Sequence, residues 1–279
     1  MKNIVIIPNE TKDKGLIVTK ALTRYLEKNA DIYMDEYFID KIEGVNFIPS
    51  AKLFDKADCA IVLGGDGTIL QVADQCGEKN IPIMGINLGK VGFMAEVKVD
   101  EADEACDALL SDRYRIEKRM MMKISVVKDD KTVNIYHALN DVVVAKDNAS
   151  MILIKMYSEH EKINQYKADG LIISTPTGST GYSLSAGGPV VDPLTELFVA
   201  SPICAHELHA RPAVLSAQKS ITLTLDKELG FDAIVSVDGT VKEKISVGDR
   251  VVIEKSEYSI GIIKIGKQSF YDVLIEKLK

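Results

Sequence analysis

The chain has 279 residues, 46% of them hydrophobic and 27% charged, with a formal net charge of −7 at pH 7. This length suits two modest domains, and this composition is typical of a folded protein and excludes a disordered chain. The acidic balance, without an extended lysine and arginine cluster, argues against a nucleic-acid partner and favours a small molecule. No segment approaches the roughly 18 apolar residues of a membrane span. Four scattered cysteines without a C-x-x-C pair predict a cytoplasmic protein that has reduced thiols and holds no metal ion of its own.

The first part of the chain alternates strand and helix patterns. Short apolar runs predict strands at 3–8, 31–38, 59–64 and 81–89. Helical spacing of apolar residues predicts helices at 14–29, 68–76 and 99–112. Strands interleaved with helices predict a parallel sheet with helices on its faces.

The pattern changes after residue 117. Segments that alternate apolar and polar residues predict a series of strands, and only 180–200 is compatible with a helix. The pattern at 269–279 is helical again, and the tail at 262–279 is expected to pack back on the first domain. The sequence therefore predicts an α/β domain at 1–117, joined by the tail, and a β-rich, sandwich-like domain at 118–261.

The first chemical signal is Gly64-Gly65-Asp66-Gly67-Thr68, directly after the strand at 59–64. Ligands bind beyond the carboxyl ends of parallel strands, and glycines let a phosphate approach backbone N–H groups at a helix start. Asp66 would repel a phosphate, so it is expected to accept a proton from a hydroxyl or to help hold Mg²⁺. The alternative is a tight turn in which Asp66 caps the following helix.

The second signal is DGLIISTPTGSTGYSLSAGGP, residues 169–189. An apolar strand opens into a loop whose hydroxyls can bind phosphate or ribose oxygens, and Tyr182 at its centre can stack on a base. A flexible linker is the alternative, and a serine nucleophile is disfavoured because G-x-S-x-G is absent. Asn140-Asp141 reads as a turn pair or a ligand contact, and Asp238-Gly239 reads as a two-residue hairpin turn.

Taken together, the G-G-D-G-T motif, the later Asn-acid pair and the long segment at 169–189 resemble the NAD kinases over nearly the whole chain. The G-G-D-G element alone is shared with phosphofructokinases and with diacylglycerol and sphingoid kinases, so the long segment decides the family. The resemblance implies transfer of the terminal phosphoryl group of ATP, or of polyphosphate, to the adenosine 2′-hydroxyl of NAD. It also implies Mg²⁺ or another divalent cation with ATP, and a homodimer or homotetramer whose sites can draw residues from a neighbouring subunit.

By the same resemblance, Asp66 matches the catalytic aspartate that accepts the hydroxyl proton. Asp141 stands where the family has glutamate, and Tyr182 matches a position against adenine. The predicted cofactor-binding residues are Gly64, Gly65, Gly67, Thr68, Asn140, Asp141, Lys167, Asp169, Thr180, Gly181, Tyr182, Ser183, Leu184 and Ser185. The alternatives are another kinase of the G-G-D-G superfamily, acting on a lipid or a sugar, and a dinucleotide sensor without turnover.

Overall fold

The computed structural model describes residues 2–89, 92–207, 209–266 and 268–277. The chain divides into two compact units, Met1–Lys118 with Ser259–Lys279 (unit 1) and Arg119–Tyr258 (unit 2). The described helices are α1 (Ile17–Leu26), α2 (Asp66–Glu78), α3 (Ala102–Leu110), α4 (Tyr182–Ser185) and α5 (Phe270–Lys277). The described strands are β1 (Asn3–Pro8), β2 (Asp31–Asp35), β3 (Asn46–Ile48), β4 (Cys59–Gly64), β5 (Ile83–Asn87), β6 (Val97–Lys98), β7 (Arg115–Lys128), β8 (Lys131–Ala138), β9 (Asp141–Lys146), β10 (Ile152–Ser158), β11 (Glu161–Ala168), β12 (Gly170–Ser174), β13 (Leu197–Ile203), β14 (Ala213–Ser216), β15 (Ile221–Leu225), β16 (Ala233–Val237), β17 (Thr240–Ile245) and β18 (Arg250–Lys264).

A parallel sheet forms the centre of unit 1. Its strands lie in the order β5-β4-β1-β2-β3, and all four neighbouring pairs are parallel. Every residue of β4 and of β5 is buried, as expected for central strands covered on both faces. The register places Gly64 beside Asn87, so the residues that follow β4 and β5 begin at the same edge of the sheet.

Unit 2 is built from antiparallel strands. One sheet has the order β14-β13-β12-β9-β16-β17. In a second group of strands, β10 pairs with β11 and with β15, and β15 also pairs with β18. In the same group, β7 and β8 form a hairpin. Buried side chains of both groups form one core, among them Met122, Ile154, Ile173, Val235 and Ile253. The predicted fold class, an α/β domain and a β-rich sandwich-like domain, is confirmed.

Several predicted elements are shorter in the structure, and for two of them the structure shows why. The strand predicted at 31–38 ends at Asp35, because the Asp35 carboxylate accepts the N–H of Tyr37 and begins a 3-10 turn. The helix predicted at 180–200 is wrong beyond α4, and β13 begins at Leu197. Gly187 has a φ of 85°, and the nearby prolines lack the N–H that a helix interior needs, so the helix cannot continue.

The C-terminal helix α5 belongs to unit 1. Val273 is buried, and the rings of Phe270 and Phe93 lie 5.6 Å apart. The expected return of the tail to the α/β domain is therefore seen in α5, whereas Leu278 and Lys279 lie outside the described residues. Across the described residues, no helix combines the length and apolarity that a membrane crossing requires.

Gly85 of β5 has no room for a side chain. A Cβ there would lie 2.7 Å from the Cα of Ala95 and 2.9 Å from the Cδ1 of Ile69. We expect Gly85→Ala to lower the free energy of unfolding by about 1–3 kcal/mol, because overpacking forces the neighbours to move. Gly89→Ala is the matched control, since the nearest atom that its Cβ would meet among the described residues is the Oδ1 of Asn87 at 3.8 Å. Urea unfolding measures both variants, and equal stabilities would contradict the close packing of residue 95 on β5.

Candidate functional site

The first glycine-rich segment joins β4 to α2 in unit 1. Gly65 is the extended N-cap residue, and Asp66 is the first residue of the helix. A Cβ at Gly64 would lie 2.2 Å from the Oγ1 of Thr68, and one at Gly65 would lie 2.8 Å from the Nζ of Lys12. The side chains of Thr68 and Lys12 therefore lie directly against the backbone of these two glycines at the start of α2. Free amide groups, the helix dipole and an ammonium group together favour a bound anion here.

The carboxylate of Asp66 does not cap its own helix. Oδ2 accepts the N–H of Phe93 at 2.8 Å, and Oδ1 accepts those of Met94 at 3.1 Å and Ala95 at 3.0 Å. No side chain caps α2 at its N-cap. The alternative in which Asp66 is a helix cap is therefore wrong, because the carboxylate binds a separate turn that follows β5.

Two polar residues after β1 also belong to this edge, and the sequence analysis missed them. The Nδ2 of Asn9 donates to the Oγ1 of Thr68 at 2.9 Å, and the Oδ1 of Asn9 accepts the N–H of Lys12 at 3.2 Å. A signal was present in the sequence. The polar run PNETKDK follows a buried strand, and polar residues at the carboxyl end of a strand in a parallel sheet are candidates for ligand contact.

The second glycine-rich segment packs tightly in unit 2. The N–H of Thr175 donates to the carbonyl of Asn140 at 2.8 Å, and its Oγ1 donates to the carbonyl of Leu139 at 2.5 Å. A Cβ at Gly178 would lie 2.1 Å from the carbonyl oxygen of Asn140. The linker alternative is therefore wrong, because the segment is built onto the Asn140-Asp141 pair.

Asp238 fixes this pair in position. Its Oδ2 accepts the N–H of Leu139 at 2.9 Å, and its Oδ1 accepts those of Asn140 at 2.8 Å and Asp141 at 3.0 Å. Asp238 and Gly239 have φ values of 45° and 77°, and they form the predicted two-residue turn between β16 and β17. The turn was predictable from the sequence, whereas the contacts of its carboxylate were not.

The electrostatics of this region centre on Asp141. Its side chain is only 6% exposed. Burial, and then the nearby carboxylate of Asp238, raise the pKa of Asp141 to about 7. Close by, the Oδ1 of Asn140 and the Oγ1 of Thr177 are buried and have no hydrogen-bond partner among the described residues. Buried polar atoms are normally paired, so this region has hydrogen-bonding capacity that a ligand can use.

The predicted residues at 180–185 differ in their surroundings. Tyr182 is 49% exposed, and Ser185 is also exposed. Thr180 donates through Oγ1 to the carbonyl of Thr177 at 3.3 Å. Ser183 is buried, with its Oγ 2.9 Å from the Oγ of Ser201, so this hydroxyl has a partner within the core. Gly181 and Leu184 are half-buried.

Lys167 and Asp169 are not brought together with Asn140. They precede β12, whereas the glycine-rich loop follows it, and five extended residues span roughly 16 Å. The carboxylate of Asp169 pairs with the Nζ of Lys146 at 2.7 Å. The N–H of Lys167 donates to the carboxylate of Glu207, at 3.2 Å to Oε1. Within one chain, these two residues therefore lie at the other end of the strand.

A parallel α/β unit with a glycine-rich helix start beside a lysine is typical of proteins that bind nucleotides. Two family models match the chain. The ATP-NAD kinase N-terminal domain matches residues 4–114, and the ATP-NAD kinase C-terminal domain matches residues 139–265. The chain belongs to the NAD kinase family.

Relatives and solved structures agree with this assignment. The NAD kinase of Thermoanaerobacter sp. (strain X514) is 39% identical over 281 residues, covering 100% of this chain and 99% of the relative. That of Caldanaerobacter subterraneus subsp. tengcongensis is 40% identical with the same coverage. An NAD kinase from Archaeoglobus fulgidus in complex with ATP superposes with a TM-score of 0.75 at 26% identity, covering 100% of this chain and 98% of that one. Yeast NADH kinase complexed with NADH shares the fold, with a TM-score of 0.92 at 22% identity and coverage of 100% and 87%.

The raised pKa of Asp141 predicts a pH-dependent stability. Between about pH 3.8, the ordinary value, and about pH 7, the folded chain keeps a proton that the unfolded chain releases, so stability falls as the pH rises through this window. Asp141→Asn removes this titration. We expect wild type to lose on the order of a few kcal/mol more than the variant across the window, since one pKa unit corresponds to about 1.36 kcal/mol.

The measurement is urea unfolding of both proteins at a series of pH values, without NAD. Other titrating groups are common to both proteins and cancel in the difference. Parallel stability curves would contradict a buried, proton-binding Asp141.

Proposed function

We propose that this protein is an NAD kinase that transfers the terminal phosphoryl group of ATP to the adenosine 2′-hydroxyl of NAD and so makes NADP. Family membership supports this activity over a lipid kinase, a sugar kinase or a sensor without turnover. The observation that carries the catalytic part is the oriented carboxylate of Asp66 at the glycine-rich start of α2. At this position a carboxylate can accept a proton from a hydroxyl group, whereas it would repel a phosphate.

In the proposed reaction, the ribose 2′-oxygen forms a bond to the γ-phosphorus as the bond from that phosphorus to the β,γ-bridging oxygen breaks. The hydroxyl proton passes to Asp66. A carboxylate is too weak a base to ionise a ribose hydroxyl in advance, but in a loose transition state the proton leaves late. A general base of this kind contributes roughly 10²–10⁴-fold to the rate.

We propose that a divalent cation arrives with the phosphates of ATP. Among the described residues, no group of three or more His, Cys, Asp or Glu side chains is placed to hold a metal ion. Mg²⁺ is commonly bound by one or two carboxylates together with substrate phosphates, so it does not require a site built entirely from protein ligands. When bound, the cation neutralises charge that develops on the phosphoryl oxygens.

For NAD, we propose contacts with Asn140, Asp141 and residues 180–185. The buried Oδ1 of Asn140 is an acceptor without a partner among the described residues, and the exposed ring of Tyr182 suits stacking on the adenine. A protonated Asp141 carboxyl can donate a hydrogen bond that an ionised one cannot. The distant placement of Lys167 and Asp169 fits a homodimer or homotetramer in which they serve the site of a neighbouring copy.

The direct experiment is incubation of the purified protein with NAD, ATP and Mg²⁺. We expect NADP to form, with a phosphate on the adenosine ribose that mass spectrometry and a coupled NADP-dependent dehydrogenase both detect. Turnover of a lipid or a sugar without NADP would support another kinase of the superfamily. Binding of NAD without turnover would support a sensor.

Asp66→Asn tests the base. The amide keeps the size of the side chain but cannot take the proton, so we expect kcat to fall by roughly 10²–10⁴-fold while the dissociation constant for NAD changes little. Asp103→Asn makes the same chemical change at an exposed position of α3 and should leave kcat unaltered. Full turnover by Asp66→Asn would remove Asp66 from its proposed role.

A further inference from the structure

The turn at residues 92–95 leaves the two oxygens of Asp66 unequal. A carboxylate has about four lone-pair positions, two on each oxygen. Among the described residues, Oδ1 accepts two N–H groups, from Met94 and Ala95, whereas Oδ2 accepts one, from Phe93. Oδ1 is therefore filled by the backbone, and Oδ2 keeps one position that a substrate hydroxyl can occupy.

This turn is held to the central sheet. The N–H of Gly92 donates to the carbonyl of Ala95 at 3.0 Å, which closes the turn. The Nδ2 of Asn87 donates to the same carbonyl at 3.1 Å, and Asn87 is the last residue of β5 and only 5% exposed. The donors to Asp66 are therefore fixed relative to the strand that lies beside β4.

Gly92 allows the carboxylate to lie against the turn. A Cβ at this residue would lie 2.0 Å from the Oδ1 of Asp66, 2.6 Å from its Cγ and 2.8 Å from its Oδ2. The three heavy atoms nearest to such a Cβ all belong to the carboxylate of Asp66, which therefore occupies the space beside Gly92.

We propose that Gly92 is a positioning residue for phosphoryl transfer, and that the Oδ2 of Asp66 is the atom that accepts the proton. The missing side chain lets three amides orient the carboxylate so that its one open position faces the acceptor hydroxyl. This inference rests on the proposed function and deepens it, because it assigns the orientation of the base to residues 92–95. Gly92 acts through Asp66 and makes no contact of its own with the reacting atoms.

The test is a double-mutant cycle with Gly92→Ala and Asp66→Ala, because coupling between the two positions appears as non-additivity. In the wild-type background, we expect Gly92→Ala to lower kcat by about 10–100-fold, part of the contribution of a general base. The KM for NAD should change by less than about threefold, since a misplaced base weakens the transition state more than it weakens binding. In the Asp66→Ala background, the same substitution should change kcat little, because no carboxylate remains to be displaced.

Thermal unfolding of the same four proteins gives a readout that does not depend on turnover. Gly92→Ala should lower Tm in wild type and not in the Asp66→Ala background, where the added methyl group has room. Gly89→Ala is the matched control and should keep wild-type kcat and Tm, since its Cβ would lie 3.8 Å from the nearest atom of the part of the chain that the structure describes. A Gly92→Ala chain that folds only when Asp66 is also replaced would support the steric part of the inference, in which the carboxylate needs the space beside Gly92.

Three results would overturn it. These are an unchanged kcat in Gly92→Ala, an equal loss of kcat in both backgrounds, and a loss of kcat/KM that comes entirely from a higher KM for NAD. If wild type makes no NADP, the proposed function fails and the assignment of Oδ2 fails with it. In that case the Tm cycle still decides separately whether Gly92 accommodates the carboxylate.

Discussion

The contact between the carboxylate of Asp66 and three successive backbone N–H groups organises the edge of unit 1 at which we propose that catalysis takes place. It ties the start of α2, which follows β4, to the turn that follows β5. Hydrogen bonds to a charged group are generally stronger than those between neutral groups, so three such bonds hold the turn firmly against the start of α2. Phe93 of the same turn packs on Phe270 of α5, and the C-terminal helix therefore supports the turn from outside.

Unit 2 uses the same device at its own glycine-rich segment. The carboxylate of Asp238 accepts three successive N–H groups, at residues 139–141, and so shapes the Asn140-Asp141 pair. The consequences differ, because a second carboxylate lies close by. Asp141 is buried near Asp238, and it is the neutral form of Asp141 that tolerates this position at and below neutral pH. Asp141 is therefore shorter than the glutamate expected at this position, and its negative charge is also suppressed.

The fold class was predictable from the sequence, because hydrophobic periodicity reports directly on buried strands and helix faces. The helix predicted at 180–200 failed because Gly187 and the nearby prolines oppose helix formation, and the periodicity alone did not weigh them. The backbone contacts of the carboxylates of Asp238 and Asp66 were beyond sequence reasoning. They join residues that lie 97 to 99 and 27 to 29 positions apart, and only the folded chain shows which backbone each carboxylate meets. The assignments of the individual NAD-binding residues stay predictions.

The most direct test of the central claim is a crystal structure of the wild-type chain with NAD and a non-hydrolysable ATP analogue bound. The decisive quantity is the distance from the adenosine 2′-oxygen to the nearer carboxylate oxygen of Asp66. We expect a hydrogen bond of roughly 2.6–3.2 Å, made by the side-chain atom that is not shared by the amides of Met94 and Ala95. A 2′-oxygen beyond hydrogen-bond reach of residue 66, with no bridging water, would contradict the claim that this carboxylate receives the proton.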